Sequence, residues 1–283
     1  EILVPINLGK KIILVEDHKQ LPPVVEENLI KYQENSKLNI TKQDLETSLF
    51  EYLELHLDES CKSILDEQYR MNPIIGELIS QMYYDGKLIS RTSKKEKSIP
   101  LKIFNDKSLI WLSTVHKSDN KEEILHSGQY HTYRNRCEAN IIFDYLLKIN
   151  DEIGDLNLQK EVAIIAGYRA QRDLLISIYE SQYSFRLKHM KIEINTVDAF
   201  QGRETDIVFY SVVRSNEDGK LGFLKDVRRL NVAFSRAREL IIVVGNHQAV
   251  TKHINLYGQD NPFVGILQYI YSNSEDCIVE EVR

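Results

Sequence analysis

Val162-Ala163-Ile164-Ile165-Ala166 is a run of five apolar residues, three of them β-branched, with no polar position among them. Such a run suits a strand buried on both faces, as in a parallel sheet. Just upstream, Ala139, Ile142, Phe143 and Leu146 recur at i, i+3, i+4 and i+7, the spacing of one helical face. The alternation continues outward in both directions. Further strand-like runs occupy residues 12–15, 109–115, 192–197, 207–213 and 240–244. Helical spacing returns at Ile75, Leu78, Ile79 and Met82, and again at Leu230, Ala233, Phe234 and Ala237. Buried strands alternating with amphipathic helices predict an α/β fold, a parallel sheet covered by helices on both faces.

The first 60 residues read differently. They offer one strand (11–15), a loop with the pair Pro22-Pro23, and one helix over 42–55. That helix takes Thr41 as its N-cap and Leu45, Leu49, Tyr52 and Leu53 as its inner stripe. One strand and one helix cannot close a core. Residues 1–62 are therefore expected to be the C-terminal end of one domain, and residues 63–283 a complete second domain. The polar run 90–97 is expected to be a loop.

Composition narrows the class. The 283 residues are 42% hydrophobic, which argues against intrinsic disorder. No apolar run approaches the roughly 18 residues of a membrane span. Three widely spaced cysteines, Cys61, Cys137 and Cys277, make neither a disulfide framework nor a zinc site and suit a reducing compartment. The expected location is cytoplasmic or nuclear. With 36 basic against 42 acidic residues the net charge is −6, so a strongly basic packaging protein is excluded but a local basic groove is not.

Four short stretches carry chemistry. Glu16-Asp17-His18-Lys19-Gln20-Leu21-Pro22-Pro23 follows the first strand, where Asp and Gln could orient a water or a phosphate. In Gln68-Tyr69-Arg70-Met71-Asn72-Pro73, Asn72 can cap a helix that has Pro73 at its first position. Arg70 and Tyr69 then sit before its positive end, suited to a phosphate and a base. Residues 195–204, ending Gln201-Gly202-Arg203-Glu204, place a glycine among polar neighbours. Residues 228–238 read as one continuous helix with Arg229 and Arg236 on one flank and Asn231, Ser235 and Arg238 on the other. From Gly219 to Arg238 six basic residues face one acidic, the composition of a phosphate-facing surface.

In this order the four stretches resemble the C-terminal motifs of superfamily 1 helicases, in the 5′-to-3′ branch that contains the nonsense-mediated-decay helicase and senataxin. Residues 17–23 resemble motif III and Gln68-Tyr69-Arg70-Met71 motif IV. Thr196-Val197-Asp198 with Phe200-Gln201-Gly202-Arg203-Glu204 resembles motif V, and residues 228–238 resemble motif VI. Ser211, Val213-Arg214 and Gly222-Phe223-Leu224 fill the usual spacer, and Tyr168-Arg169-Ala170-Gln171 resembles a segment after an earlier strand. Two positions depart from the family: Glu16 replaces the usual glycine of motif III, and Ala166-Gly167-Tyr168 stands for the usual Thr-Pro-Tyr.

The resemblance implies two RecA-like motor domains with ATP between them and single-stranded DNA or RNA across their top. This chain would hold the end of the first (1–62) and all of the second (63–283). It implies that Gln20 senses the γ-phosphate or the attacking water, with Asp17 beside the nucleotide. Tyr69 would stack on adenine, and Arg70 and Arg236 would act as arginine fingers. Glu204 would contact the ribose or the phosphates, supported by Gln201 and Gly202, and Thr196 would touch a nucleic-acid phosphate. The Walker A pattern occurs nowhere in the sequence. ATP and Mg2+ are thus expected to be held mainly by a missing N-terminal motor domain. The alternative is a non-catalytic interaction module that keeps the fold. Arginines without a phosphate cradle should not turn ATP over, so the isolated chain is expected to show negligible hydrolysis. Robust magnesium-dependent phosphate release from the purified chain would contradict this.

Overall fold

A computed structural model describes residues 3–22, 47–127, 130–252 and 261–283. The chain divides into two compact units, residues 1–65 and 66–283.

In the first unit the described elements are α1 (Leu3–Leu8) and α2 (Leu49–His56). Residues 11–15 form no regular element and join no sheet among the described residues, and Ile13 and Val15 are 79% and 85% exposed, which corrects the expected strand. An apolar run becomes a strand only where partners take its N–H and C=O groups, and no described residue of this unit does so. The expected helix over 42–55 is also shorter. Ser48 is extended at φ −68° and ψ 152°, and its Oγ accepts from the Glu51 N–H at 3.0 Å, so the helix starts at Leu49. A serine hydroxyl here satisfies an N-terminal amide of this helix, and residues 42–46 of the expected span lie outside the described residues. Pro23, Thr41 and Leu45 lie outside the described residues.

The second unit opens with a short parallel pair, β1 (Glu67–Gln68) and β2 (Ile89–Ser90), around α3 (Pro73–Tyr83). The Asn72 side chain caps α3 at the Ile74 N–H, 2.9 Å, with Pro73 in the first turn as expected. After β3 (Leu109–Ser113) comes an unexpected antiparallel hairpin, β4 (Glu123–Ser127) and β5 (Tyr130–Arg134). Then α4 (Arg136–Asp155), β6 (Lys160–Ala166), α5 (Arg169–Ile178), β7 (Met190–Thr196) and β8 (Thr205–Ser211) alternate. The chain closes with α6 (Val227–Phe234), β9 (Ala237–Gly245), α7 (His247–Thr251), α8 (Pro262–Ser272) and β10 (Cys277–Glu281).

Six strands form one parallel sheet in the order β10-β3-β9-β8-β6-β7. Side chains alternate between its faces. Ile110, Leu112, Ile164, Phe209 and Ile242 join α4 and α5 in one buried cluster with Phe143, Leu146 and Leu175. Trp111 and Tyr210 point to the other face, where they meet Phe263 of α8 and Phe234 of α6 edge-on. Both faces are covered, so the inner strands read as continuous apolar runs. The edge strand β7 instead exposes Lys191 and Glu193 between half-buried isoleucines, which discourages further strand addition.

A polar network ties this core together at the carboxyl ends of the strands. Glu138 in α4 is fully buried, and its carboxyl accepts from Ser211 Oγ at 2.7 Å and from the Val213 N–H at 2.8 and 3.0 Å. Gln171 in α5 donates to Ser211 Oγ at 3.0 Å and to the Asn135 carbonyl at 3.0 Å. Val213 takes φ +69°, an unfavourable conformation for a β-branched residue, which the two-pronged acceptor holds in place. Burial pushes the Glu138 pKa up to about 8, against the hydrogen bonds that favour its charge. A raised native pKa contributes stability that is complete below the ordinary carboxylate range and is lost as pH rises through 8. The melting midpoint should therefore fall by about 2–3 °C between pH 7 and 9, the equivalent of about 1 kcal/mol from this group. Glu138→Gln should flatten that slope in calorimetry run across the same range, and an equal slope in both proteins would exclude Glu138 as its source.

Candidate functional site

The three chemical stretches of the second unit do not share one end of its sheet. Thr196 closes β7 level with Ala166, which pairs with Ser211, so all three mark the carboxyl end. Glu204 immediately precedes β8, whose first residue, Thr205, pairs with Ala237 at the amino end. Seven residues of strand separate these levels by about 23 Å. The motif V resemblance thus spans the sheet, its threonine at one end and its glutamate at the other.

The amino end carries a dense set of arginines and carboxylates. Arg70, on the turn after β1, donates from Nε to Glu204 at 2.7 Å and from Nη1 to the Ser235 carbonyl at 3.2 Å. Arg238 donates to the other Glu204 oxygen at 3.3 Å, to Asp206 at 2.8 and 3.0 Å, and to Glu161 at 3.3 Å. Glu204 is therefore shared by two guanidiniums. Partial burial opposes its charge, but Arg70 and then Arg238 outweigh it and hold its pKa below the ordinary carboxylate value. These ion pairs are complete at neutral pH and weaken as pH falls through that depressed value. Gly202 takes φ +78° with open space around it, so the turn leading to Glu204 needs glycine for its backbone angle. Gln201 lies exposed beside it.

Arg236 behaves differently from Arg70. It is 2% exposed, and its guanidinium donates to the carbonyls of Val232 and Arg203 and to Ser235 Oγ, each at 2.9 Å. The continuous helix expected over 228–238 is corrected here. α6 ends at Phe234 with Ser235 as its C-cap, and Ala237 and Arg238 already belong to β9. Pairing with β8, where Ala237 lies opposite Thr205 and the Thr205 N–H donates to the Arg236 carbonyl at 2.9 Å, overrides the helical spacing of this stretch. A helical wheel therefore does not relate Arg236 to Arg238 or to Arg229. Arg229, inside α6, pairs with Asp198 at 2.9 Å.

Tyr69 is 65% exposed and donates its hydroxyl to Glu67 at 2.7 Å, leaving its ring face open to solvent. Neighbouring Gln68, passed over in the sequence, is buried and fastens this turn. Its Oε1 accepts from the Arg70 and Met71 N–H groups at 2.9 and 2.8 Å, and its Nε2 donates to the Met71 carbonyl and Ser90 Oγ at 3.1 and 2.6 Å. Gln68→Ala strands these groups and should destabilise the protein by about 2–4 kcal/mol in urea unfolding. A change below about 0.5 kcal/mol would show that the turn holds without it.

In the first unit, Asp17 accepts from the Lys19 N–H at 3.0 Å and from Gln20 Nε2 at 2.7 Å, bonds that orient the Gln20 amide. His18 Nδ1 meets Glu54 of α2 at 2.7 Å, while Glu16 is exposed. Among the described residues no group of three or more His, Cys, Asp or Glu side chains is arranged to hold a metal ion, and no helix is long and apolar enough to cross a membrane.

A parallel α/β unit with paired arginines at one end of its sheet defines the class, and comparison with known proteins specifies it. Residues 45–248 match the family described as an AAA domain. The chain is 34% identical over 263 residues to a regulator of nonsense transcripts 1 homolog of Neurospora crassa, covering 89% of this chain and 22% of that protein. It is 32% identical over 295 residues to the ATP-dependent helicase NAM7 of Saccharomyces cerevisiae (100% and 28%). It is 31% identical over 265 residues to the helicase sen1 of Schizosaccharomyces pombe (91% and 14%). The chain belongs to the AAA-domain family and, within it, to the superfamily 1 helicases of the nonsense-decay and senataxin group. It spans about a quarter or less of the length of these relatives.

Proposed function

We propose that the complete protein is an ATP-driven translocase on single-stranded DNA or RNA, and that residues 66–283 are its second motor domain. The observation that carries this reading is Arg70, half exposed on a turn fastened by Gln68 and steered by Glu204, beside the open ring of Tyr69. An accessible guanidinium beside an unpartnered aromatic face fits a nucleotide phosphate and its base. Bound ATP would supply the γ-phosphoryl group whose transfer to water drives movement.

The roles follow from position. Arg70 would neutralise charge that grows on the γ-phosphate, which requires it to exchange its Glu204 bond for a phosphate oxygen. Glu204, still held by Arg238, would then be available to a ribose hydroxyl. Tyr69 would stack on adenine. Arg236 would reach a phosphate only by giving up the Val232 and Arg203 carbonyls. Its bond to Arg203 also makes it the support of the Gly202–Glu204 turn. Gln201 would support that turn from its exposed side, and Gln20, oriented by Asp17, would meet the attacking water. Thr196, at the opposite end of the sheet, would touch the nucleic-acid backbone. A Walker A cradle and magnesium ligands would come from parts of the complete protein beyond this sequence.

ATP hydrolysis by the complete protein, with and without single-stranded DNA or RNA, tests the reading; hydrolysis that neither stimulates would count against it. Arg70→Ala and Arg236→Ala should each lower turnover about a thousandfold or more with nucleotide affinity much less affected. Tyr69→Ala should instead weaken nucleotide binding and leave the melting midpoint nearly unchanged. A variant of either arginine that hydrolyses ATP near the wild-type rate would remove that residue from the site.

A further inference from the structure

The carboxyl end of the sheet carries an aromatic ladder to which no role has been given. Tyr133 of β5 meets Tyr168 edge-on at 5.1 Å between ring centroids, and Tyr168 meets Phe223 at 5.9 Å. The Arg214 guanidinium lies 3.9 Å from the Tyr133 ring centroid. Two of these rings are partly or wholly buried, but Phe223 at the outer end is 65% exposed. A phenylalanine left in water usually marks either a loose loop or a contact surface. This loop is not loose.

Strong bonds fasten it from below. Arg214 pairs with Glu122 at 3.3 Å, both side chains buried, and donates to the Lys220 carbonyl at 2.9 Å. Glu122 also accepts from the Ser215 N–H at 2.8 Å and Asn216 Nδ2 at 3.0 Å. The Lys220 N–H returns to Asn216 Oδ1 at 2.8 Å, and the Tyr168 hydroxyl donates to the Leu221 carbonyl at 3.2 Å. Gly222 takes φ +60°, and a Cβ there would stand 2.7 Å from the Tyr168 hydroxyl. The turn is thus pressed onto Tyr168 with its phenylalanine directed outward. Presenting an apolar ring on a pre-ordered support removes much of the entropic cost of binding something flat.

Position and charge select the ligand. Tyr168 follows Ala166 by two residues, and Ala166 pairs with Thr196, the expected backbone contact. Phe223 also stands between Lys220, which pairs with Asp218 at 2.7 Å, and Lys225, with Arg228, paired with Asp226 at 3.5 Å, close behind in sequence. We propose that Phe223 is a stacking platform for an unpaired base of the single strand, placed on the Tyr168–Tyr133 ladder so that the strand crosses the carboxyl end from Thr196 to Phe223. The proposal rests on the nucleic-acid reading above and adds a base contact to it. Stacking on an aromatic ring is tolerant of sequence, which suits a translocase that must pass every base. It involves no counterion release, so it leaves the salt slope of binding to the lysines and arginines.

The test uses the complete protein with single-stranded oligo-dT and oligo-U carrying one 2-aminopurine, whose fluorescence falls when it stacks. Wild type should quench the probe on binding. Phe223→Ala and Phe223→Leu should lose the quenching and about tenfold in affinity at every salt concentration, with the salt slope and melting midpoint unchanged. Phe223→Trp should keep both signals. Equal affinity and quenching in the alanine variant, or a leucine variant that equals tryptophan, overturns the platform while the nucleic-acid reading stands; the exposed ring is then a protein-docking residue. A wild-type protein that binds neither oligonucleotide overturns both.

Discussion

β9 lies between β8 and β3 with helices on both faces, so its backbone groups must find partners within the protein, mostly in these neighbouring strands, while the Arg238 carbonyl accepts from the Asn72 N–H at 2.7 Å. That pairing sets the geometry of the rest of the unit. Because Ala237 is bound level with Thr205, Arg236 and Arg238 arrive beside Glu204 and Asp206. Because β8 ends at Ser211 level with Ala166, the chain must turn at Val213 over the Glu138 carboxyl. The two ends of one ladder are therefore tied to two different chemistries.

Glu204 and Glu138 show the difference in a single residue type. Glu204 is partly exposed and held between two arginines, so its charge is favoured and its pKa lies low. Glu138 has no cation among its hydrogen-bond partners; it is met by a hydroxyl, an amide side chain and a backbone N–H, and burial drives its pKa up. At the amino end, charge is concentrated and can be exchanged with a ligand. At the carboxyl end, polar groups are consumed internally, fixing a strained turn and the loop that carries Phe223. Arg70 keeps one bond to a backbone carbonyl, that of Ser235, but its shortest bond is to the Glu204 side chain at the surface. Arg236, bonded to backbone carbonyls in the interior, is primarily committed to the architecture.

The sequence by itself determined the α/β class, the helices around residues 73–83 and 136–155, five of the sheet strands, and the family. Those features rest on local periodicity, capping residues such as Asn72, and the order of short motifs, all of which survive without knowledge of the partners. Tertiary structure alone decided where α6 stops, since residues 228–238 have helical spacing and yield only to the ladder offered by β8. It also decided that residues 11–15 join no strand among the described residues, because strand formation is a property of the pair. The roles of Gln68, Arg238 and Glu138 were illegible for the same reason: they act through groups up to 77 positions away, and no local pattern encodes which donors will meet one carboxyl or amide. Residue types are written in the chain, but sharing of one glutamate by two arginines is written only in the sheet.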